Sequence, residues 1–129
     1  MKGHQESILQ RACVAWFRRN YPEHKRRLFA VPNGGGRSKV EAGIMKAEGV
    51  TAGVSDMILL LPNYYYHGLC IEFKCVKTSF VDGKVKRTKT YQSPEQKAWQ
   101  ADAEEAGYKY AVVRDQDEFA NLIEEYLRK

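Results

Sequence analysis

Leu69-Cys70-Ile71-Glu72-Phe73-Lys74 is the stretch on which the reading of the fold turns. Side chains of a strand alternate between its two faces, so Leu69, Ile71 and Phe73 fall on one side and Cys70, Glu72 and Lys74 on the other. The pattern continues far enough to predict a strand from Leu69 to Val76. Just upstream, Met57 to Leu61 is an unbroken apolar run that opens beside Asp56 and stops at Pro62, the pattern of a strand buried on both faces. A turn through Tyr64, Tyr65, Tyr66 and His67 joins the two as a hairpin. If they pair, Asp56 comes alongside Glu72 and Lys74.

Outward from this hairpin, Ile8, Leu9, Ala12, Ala15 and Trp16 recur at helical spacing between Glu6 and Phe17, and Pro22 closes that first helix. Arg27 to Val31 predicts a short strand, ended by Pro32 and by Gly34, Gly35 and Gly36. Ser38 with Glu41 makes a capping box for a second helix, which Gly49 ends. Ser93, Pro94 and Gln96 take the N-cap, N1 and N3 positions of a third helix that stops at Gly107. Tyr108 to Val113 predicts the last strand. Asp115 and Glu118 cap a final helix whose Phe119, Leu122, Ile123, Tyr126 and Leu127 form an apolar stripe. The order α-β-α-β-β-α-β-α predicts an α/β fold, a mixed sheet flanked by helices, in one domain over residues 1–129.

Composition narrows the function classes. A chain of 129 residues with 43% hydrophobic content has material for one core and so for one active centre. Lys and Arg number 21 against 16 Asp and Glu, a net charge of +5 that suits a polyanionic partner. Cys13, Cys70 and Cys75 form no CxxC pair, and their odd number argues against a disulfide framework. The opening residues lack a signal-peptide apolar stretch, and Met57 to Leu61 is too short to cross a bilayer. A soluble, cytoplasmic protein without a membrane partner is expected. His4, His24 and His67 share no metal-ligand spacing.

Two carboxylates and an amine converging at one sheet edge match the needs of phosphodiester hydrolysis, whose transition state gathers charge on oxygen. Mg²⁺ takes oxygen ligands and keeps several waters, so Asp56, Glu72 and a backbone carbonyl, that of Phe73, would suffice. Lys74 would orient or deprotonate the attacking water, or stabilise developing charge. An E-x-K on a strand is, taken alone, usually an exposed ion pair, and Asp56 alone could be a turn residue. The combination favours a site: a charge opens an apolar run, and the next strand turns its charges away from its apolar side. Glu6 and Gln10, at i and i+4 on the first helix, continue toward Cys13 and Phe17 and so point partly inward, or else form an ordinary solvated helix start.

These pieces together resemble the virus-type replication-repair nuclease (VRR-NUC) domain of the PD-(D/E)XK nuclease superfamily. The matching segments are E-S-I-L-Q at Glu6 to Gln10, P-N-G-G-G-R at Pro32 to Arg37, G-V-T-A-G-V-S-D at Gly49 to Asp56, I-E-F-K at Ile71 to Lys74 and S-P-E-Q at Ser93 to Gln96. They stand in family order along nearly the whole chain. The resemblance implies a restriction-endonuclease-like fold and Mg²⁺- or Mn²⁺-dependent DNA cleavage. By motif, Asp56 and Glu72 look like metal ligands, Lys74 like the catalytic lysine, and Glu6 like the helix-one acid that completes the site. Gln10 and Gln96 match polar positions near it, although Gln96 also serves its capping box. Ser55-Asp56 replaces the superfamily's Pro-Asp, a departure the family shares. Stand-alone members, often from phages, are known as Holliday junction resolvases acting as homodimers, and symmetric cutting of a four-way junction needs two such sites.

DNA contacts are expected outside the site as well. The Pro32 to Lys39 segment is glycine-rich and basic but lacks the P-loop order, so no nucleotide cofactor is expected. Arg37 and Lys39 at a helix start, with Asn33, would hold a DNA phosphate. Lys77 to Gln92 holds Lys77, Lys84, Lys86, Arg87 and Lys89 against the single acid Asp82, and Val81-Asp82-Gly83-Lys84-Val85 reads as a hairpin with an Asp-Gly turn. The three tyrosines would stack on unpaired bases, line a dimer interface, or dress a turn. Three functions follow: an endonuclease selective for branched DNA, a flap, nick or general DNA nuclease, and a DNA-binding module without catalysis.

Overall fold

The computed structural model describes residues 3–32 and 38–129. Helix α1 (His4–Asn20) leads through a single 3₁₀ turn at Pro22–His24 into β1 (Leu28–Ala30). Then come α2 (Lys39–Ala47), β2 (Met57–Leu59), β3 (Leu69–Phe73), the strands β4 (Val76–Val81) and β5 (Lys84–Lys89), α3 (Pro94–Glu105), β6 (Lys109–Val113) and α4 (Gln116–Arg128). The main sheet runs β1-β2-β3-β6. Its first two pairings are antiparallel and β3 pairs with β6 in parallel, so the sheet is mixed and helix-flanked, as expected.

Alternation in β3 sorts the layers. Leu69, Ile71 and Phe73 join the core with Cys13 and Phe17 of α1 and Phe119, Ile123 and Tyr126 of α4. Cys70 faces the other way, into a smaller cluster with Ala103 of α3 and Tyr110 of β6. With helices on both faces, all five residues of β3 are buried, which is the condition for a continuous apolar strand.

Several boundaries differ from expectation. The strand at Leu69 stops at Phe73 instead of Val76, because Val76 pairs with Lys89 in a separate two-stranded sheet. The strand at Met57 ends at Leu59, and Leu60 is 60% exposed, because α3 packs on β6 and leaves the outer face of β1 and β2 uncovered. In α1 the inward side is carried by Cys13 and Phe17, with Leu9, Val14 and Trp16 packed partly against them, whereas Ile8 is half exposed. The inward stripe is therefore rotated from the expected one.

The expected N-cap residues are in place, with one half of the expected box shown at Ser38 and the full box at Ser93. The Ser38 hydroxyl accepts from Glu41 N–H at 3.1 Å, and Ser93 and Gln96 form a complete reciprocal box. The Asp115 carboxylate accepts from Glu118 N–H at 2.8 Å, while Glu118 accepts from Arg114 N–H at 3.2 Å. Asp82 and Gly83 both take positive φ, the geometry of a two-residue hairpin turn.

Gly53 couples the loop before Asp56 to the start of α3. Its φ is +85°, and a Cβ there would stand 2.3 Å from the Glu95 carbonyl oxygen. At Gly43, inside α2, an added Cβ would meet nothing within 4 Å. Gly53→Ala is therefore expected to destabilise by about 2 kcal/mol or more in urea unfolding. Gly43→Ala should be neutral or stabilising by up to about 1 kcal/mol through helix propensity. Equal effects at the two positions would refute the close-approach account.

Candidate active site

The antiparallel register sets Met57 opposite Ile71, so one step further Asp56 stands across from Glu72. Two hydrogen bonds fix Asp56 at this place. Its backbone carbonyl accepts from Val31 N–H at 2.8 Å, and its Oδ2 accepts from Phe73 N–H at 2.7 Å. The Asp56 side chain thus replaces the backbone partner that β3 would otherwise lack where β2 begins. A residue's N–H and C=O lie on the same edge of a strand, so the Phe73 carbonyl also faces the Asp56 side.

Glu72 is only 2% exposed, which rules out the exposed ion pair that an E-x-K strand pattern usually means. Its carboxyl is held from two sides: Gln96 Nε2 donates to Oε1 and the Tyr110 hydroxyl donates to Oε2, each at 3.0 Å. It also shares a hydrogen bond with Asp56. Burial, then the Asp56 charge and that shared hydrogen bond, push the Glu72 pKa up to about 8, while Tyr110 and Lys74 pull it down. The physical sense is plain. In a partly dry site beside the Asp56 charge, ionising Glu72 is costly, so it keeps its proton to higher pH than an ordinary carboxyl.

These groups open into a cleft of about 760 Å³ lined by Glu6, Asp56, Glu72, Lys74, Tyr91 and Gln96, among others. The sequence-predicted Glu6, Asp56, Glu72, Lys74 and Gln96 are therefore brought to one cavity by α1, β2, β3 and α3. Phe73 contributes only its backbone there, since its ring is fully buried against Phe119. Gln10 is half-buried one turn further along α1. Among the described residues, no three His, Cys, Asp or Glu side chains are grouped closely enough to enclose a metal ion, and Glu6 is a further acid lining the same cleft. Asp56 and Glu72 suit a hard divalent cation even so. They are paired oxygen donors, and a divalent cation between them would relieve the repulsion that raises the Glu72 pKa.

The remaining expected contact residues are dispersed. Lys39 is exposed at the first turn of α2. Asn33 and Arg37 lie outside the described residues. Lys77, Lys84, Lys86, Arg87 and Lys89 are all exposed on the β4–β5 arm, which starts two residues beyond Lys74. The tyrosine turn stands at the opposite end of β3 from Glu72. There Tyr66 stacks on Tyr126 and carries Lys109 over its ring.

Sequence reasoning missed Tyr110 and Arg114. Tyr110 pairs with Cys70 in the parallel ladder and so shares the face of Glu72, a relation legible only once β3 and β6 are known to be neighbours. Arg114 ties down the base of the arm, donating to Thr90 O at 2.9 Å and lying over the Tyr91 ring.

No protein-family model and no curated protein matches the chain. A solved structure of a VRR_NUC domain protein does, with a TM-score of 0.75 and 27% sequence identity, over 99% of this chain and 92% of that one. A likeness of that extent gives this chain the mixed α/β, restriction-endonuclease-like fold of a VRR_NUC domain protein, and with that likeness the cleft suggests a nuclease-type domain.

Proposed function

We propose that residues 1–129 act as one metal-dependent endodeoxyribonuclease domain that cuts branched DNA, the four-way junction being its substrate. The observation that carries this reading is the Asp56–Glu72 carboxyl pair, held face to face in an open cleft beside Lys74. Asp56, Glu72 and the Phe73 carbonyl would hold Mg²⁺ or Mn²⁺, with Glu6 of the same cleft completing the set. When bound, the cation supplies a Lewis acid for the phosphate and an acidified water.

The chain's own residues do the rest. Gln96 and Tyr110 occupy one lone pair on each Glu72 oxygen and so turn the carboxylate toward Asp56. Phe73 N–H holds the Asp56 carboxyl in place through Oδ2. Lys74 stands where it can orient the attacking water or stabilise charge on the phosphate oxygens. Backbone phosphates are taken up by Lys39, Gln10 and the cations of the β4–β5 arm, with Asn33 and Arg37, outside the described residues, as further contacts. A four-way junction calls for two cuts related by a two-fold axis, so two copies of the chain form the working unit.

Labelled junction, flap and linear duplex, each incubated with and without Mg²⁺ or Mn²⁺, test this directly. Paired, metal-dependent cuts on the junction are expected. Asp56→Asn and Lys74→Ala should each lower the rate by about 10² or more. Cutting that survives both substitutions would sink the assignment of the site.

Stability gives a second check with its own sign. Because the folded-state pKa of Glu72 is raised, the native chain keeps a proton that the unfolded chain has released, so stability falls as pH rises from about 4.5 to about 8. Below that window Glu72 exerts no penalty, and above it the penalty is complete. Metal-free protein should therefore melt lower at pH 8 than at pH 5.5, with Glu72→Gln flattening the trend. Mn²⁺ should raise the melting temperature more at pH 8 than at pH 5.5, because fewer protons compete for Glu72 there. An unchanged slope in Glu72→Gln would contradict the raised-pKa account.

Replacing Lys84 and Lys86 by Ala is expected to reduce the slope of log affinity against log salt by about 1 to 2, the share of two phosphate contacts. An unaltered slope would remove the arm from the DNA-binding surface.

A further inference from the structure

The β4–β5 arm projects an apolar tip that no other described residue covers. Apart from the half-buried Val76, every residue of both strands is exposed, and next to the turn Phe80 pairs with Val85 at 77% and 55% exposure. A two-stranded ribbon is marginally stable alone, and an exposed phenylalanine at its end adds nothing to that stability. The base, in contrast, is well held. The Thr90 hydroxyl donates to Cys75 O at 2.8 Å, and Arg114 Nη1 donates to Thr90 O. The arm is thus anchored beside Lys74 and presents its tip outward.

Charge says what could cover the tip. Cross-strand register puts Arg87 and Lys89 on the face of Phe80 and Val85, and Lys77, Lys84 and Lys86 on the opposite face, with Asp82 the only acid. With five cations against that one acid, the arm calls for a partner rich in negative charge. The partner must be polyanionic and must also offer flat apolar surface. Paired duplex buries its base faces in the stack, whereas a branch point exposes them.

We propose that Phe80 is a wedge that enters the opened base stack at the branch point of the DNA, which makes the arm the element that selects branched over linear substrate. This rests on the reading of the protein as a DNA nuclease. Each strand of the arm has six residues, which at about 3.3 Å per residue sets the tip roughly 20 Å from its base. At about 3.4 Å per nucleotide, the branch would lie no more than roughly six nucleotides from the phosphate in the cleft.

The test uses the full chain carrying Asp56→Asn, so that DNA stays intact, and a four-way junction with 2-aminopurine at the branch, set against a linear duplex of equal length. Binding is expected to raise the 2-aminopurine fluorescence several-fold. Phe80→Ala should abolish most of that rise and lower the junction-over-duplex affinity ratio at least fivefold, and Phe80→Trp should restore both. An unchanged signal and ratio in Phe80→Ala would overturn the wedge, as would an equal loss on both DNAs or a failure of Phe80→Trp to rescue. A shift from dimer to monomer in sedimentation of Phe80→Ala would overturn it too, by placing Phe80 between two copies. Failure of the nuclease reading is seen separately: selective junction binding with the wedge signal, but no metal-dependent cutting by the chain without Asp56→Asn, would support the wedge and remove the catalysis.

Discussion

The hydrogen bond from Phe73 N–H to Asp56 Oδ2, 2.7 Å long, is the interaction on which the candidate site depends. It joins the beginning of one strand to the end of its neighbour through a side chain, and so prevents the sheet from ending in an unpaired donor. It also holds an acidic side chain against a second, buried one. Ionising Glu72 is expensive in a region of low dielectric beside the Asp56 charge, which raises its pKa, and the fold supplies neutral donors to it from Gln96 and Tyr110. Such a pair is suited to a divalent cation.

Around this pair the architecture divides its tasks. The α1–α4 side of the sheet is a packed apolar layer that stiffens β3 through Leu69, Ile71 and Phe73. The α3 side is thinner and partly polar, and there the packing leaves room for the Glu72 carboxyl and its partners. Gly53 lets the loop before Asp56 pass against the first turn of α3, which brings Gln96 within reach of Glu72. Gln96 serves two ends at once. Its backbone N–H and its side-chain oxygen complete the capping box with Ser93, while its Nε2 donates to the carboxylate.

Much of the site was legible because local rules govern it. Period-two alternation put Glu72 and Lys74 on one side of a strand, and that side opens on the cleft. Capping chemistry located the starts of α2, α3 and α4 at Ser38, Ser93 and Asp115. The Asp-Gly turn at 82–83 was equally local. Errors gathered where a neighbour decides the outcome. Leu60 reads as buried in sequence, yet no described helix covers that end of β2. Val76 reads as part of β3, yet it pairs with Lys89 in a second sheet.

Sequence alone was enough for the order of the helices and main-sheet strands, the helix caps and the alternation that separates Leu69, Ile71 and Phe73 from Glu72, because each depends on residues a few positions apart. Tertiary structure decided that Glu72 is buried, that Asp56 stands opposite it, that Tyr110 donates to it across 38 residues of chain, and that the basic arm leaves the core altogether. Those outcomes depend on which strands become neighbours and which faces receive a helix. Both are set by burying apolar surface across the whole chain, a balance that no local pattern records.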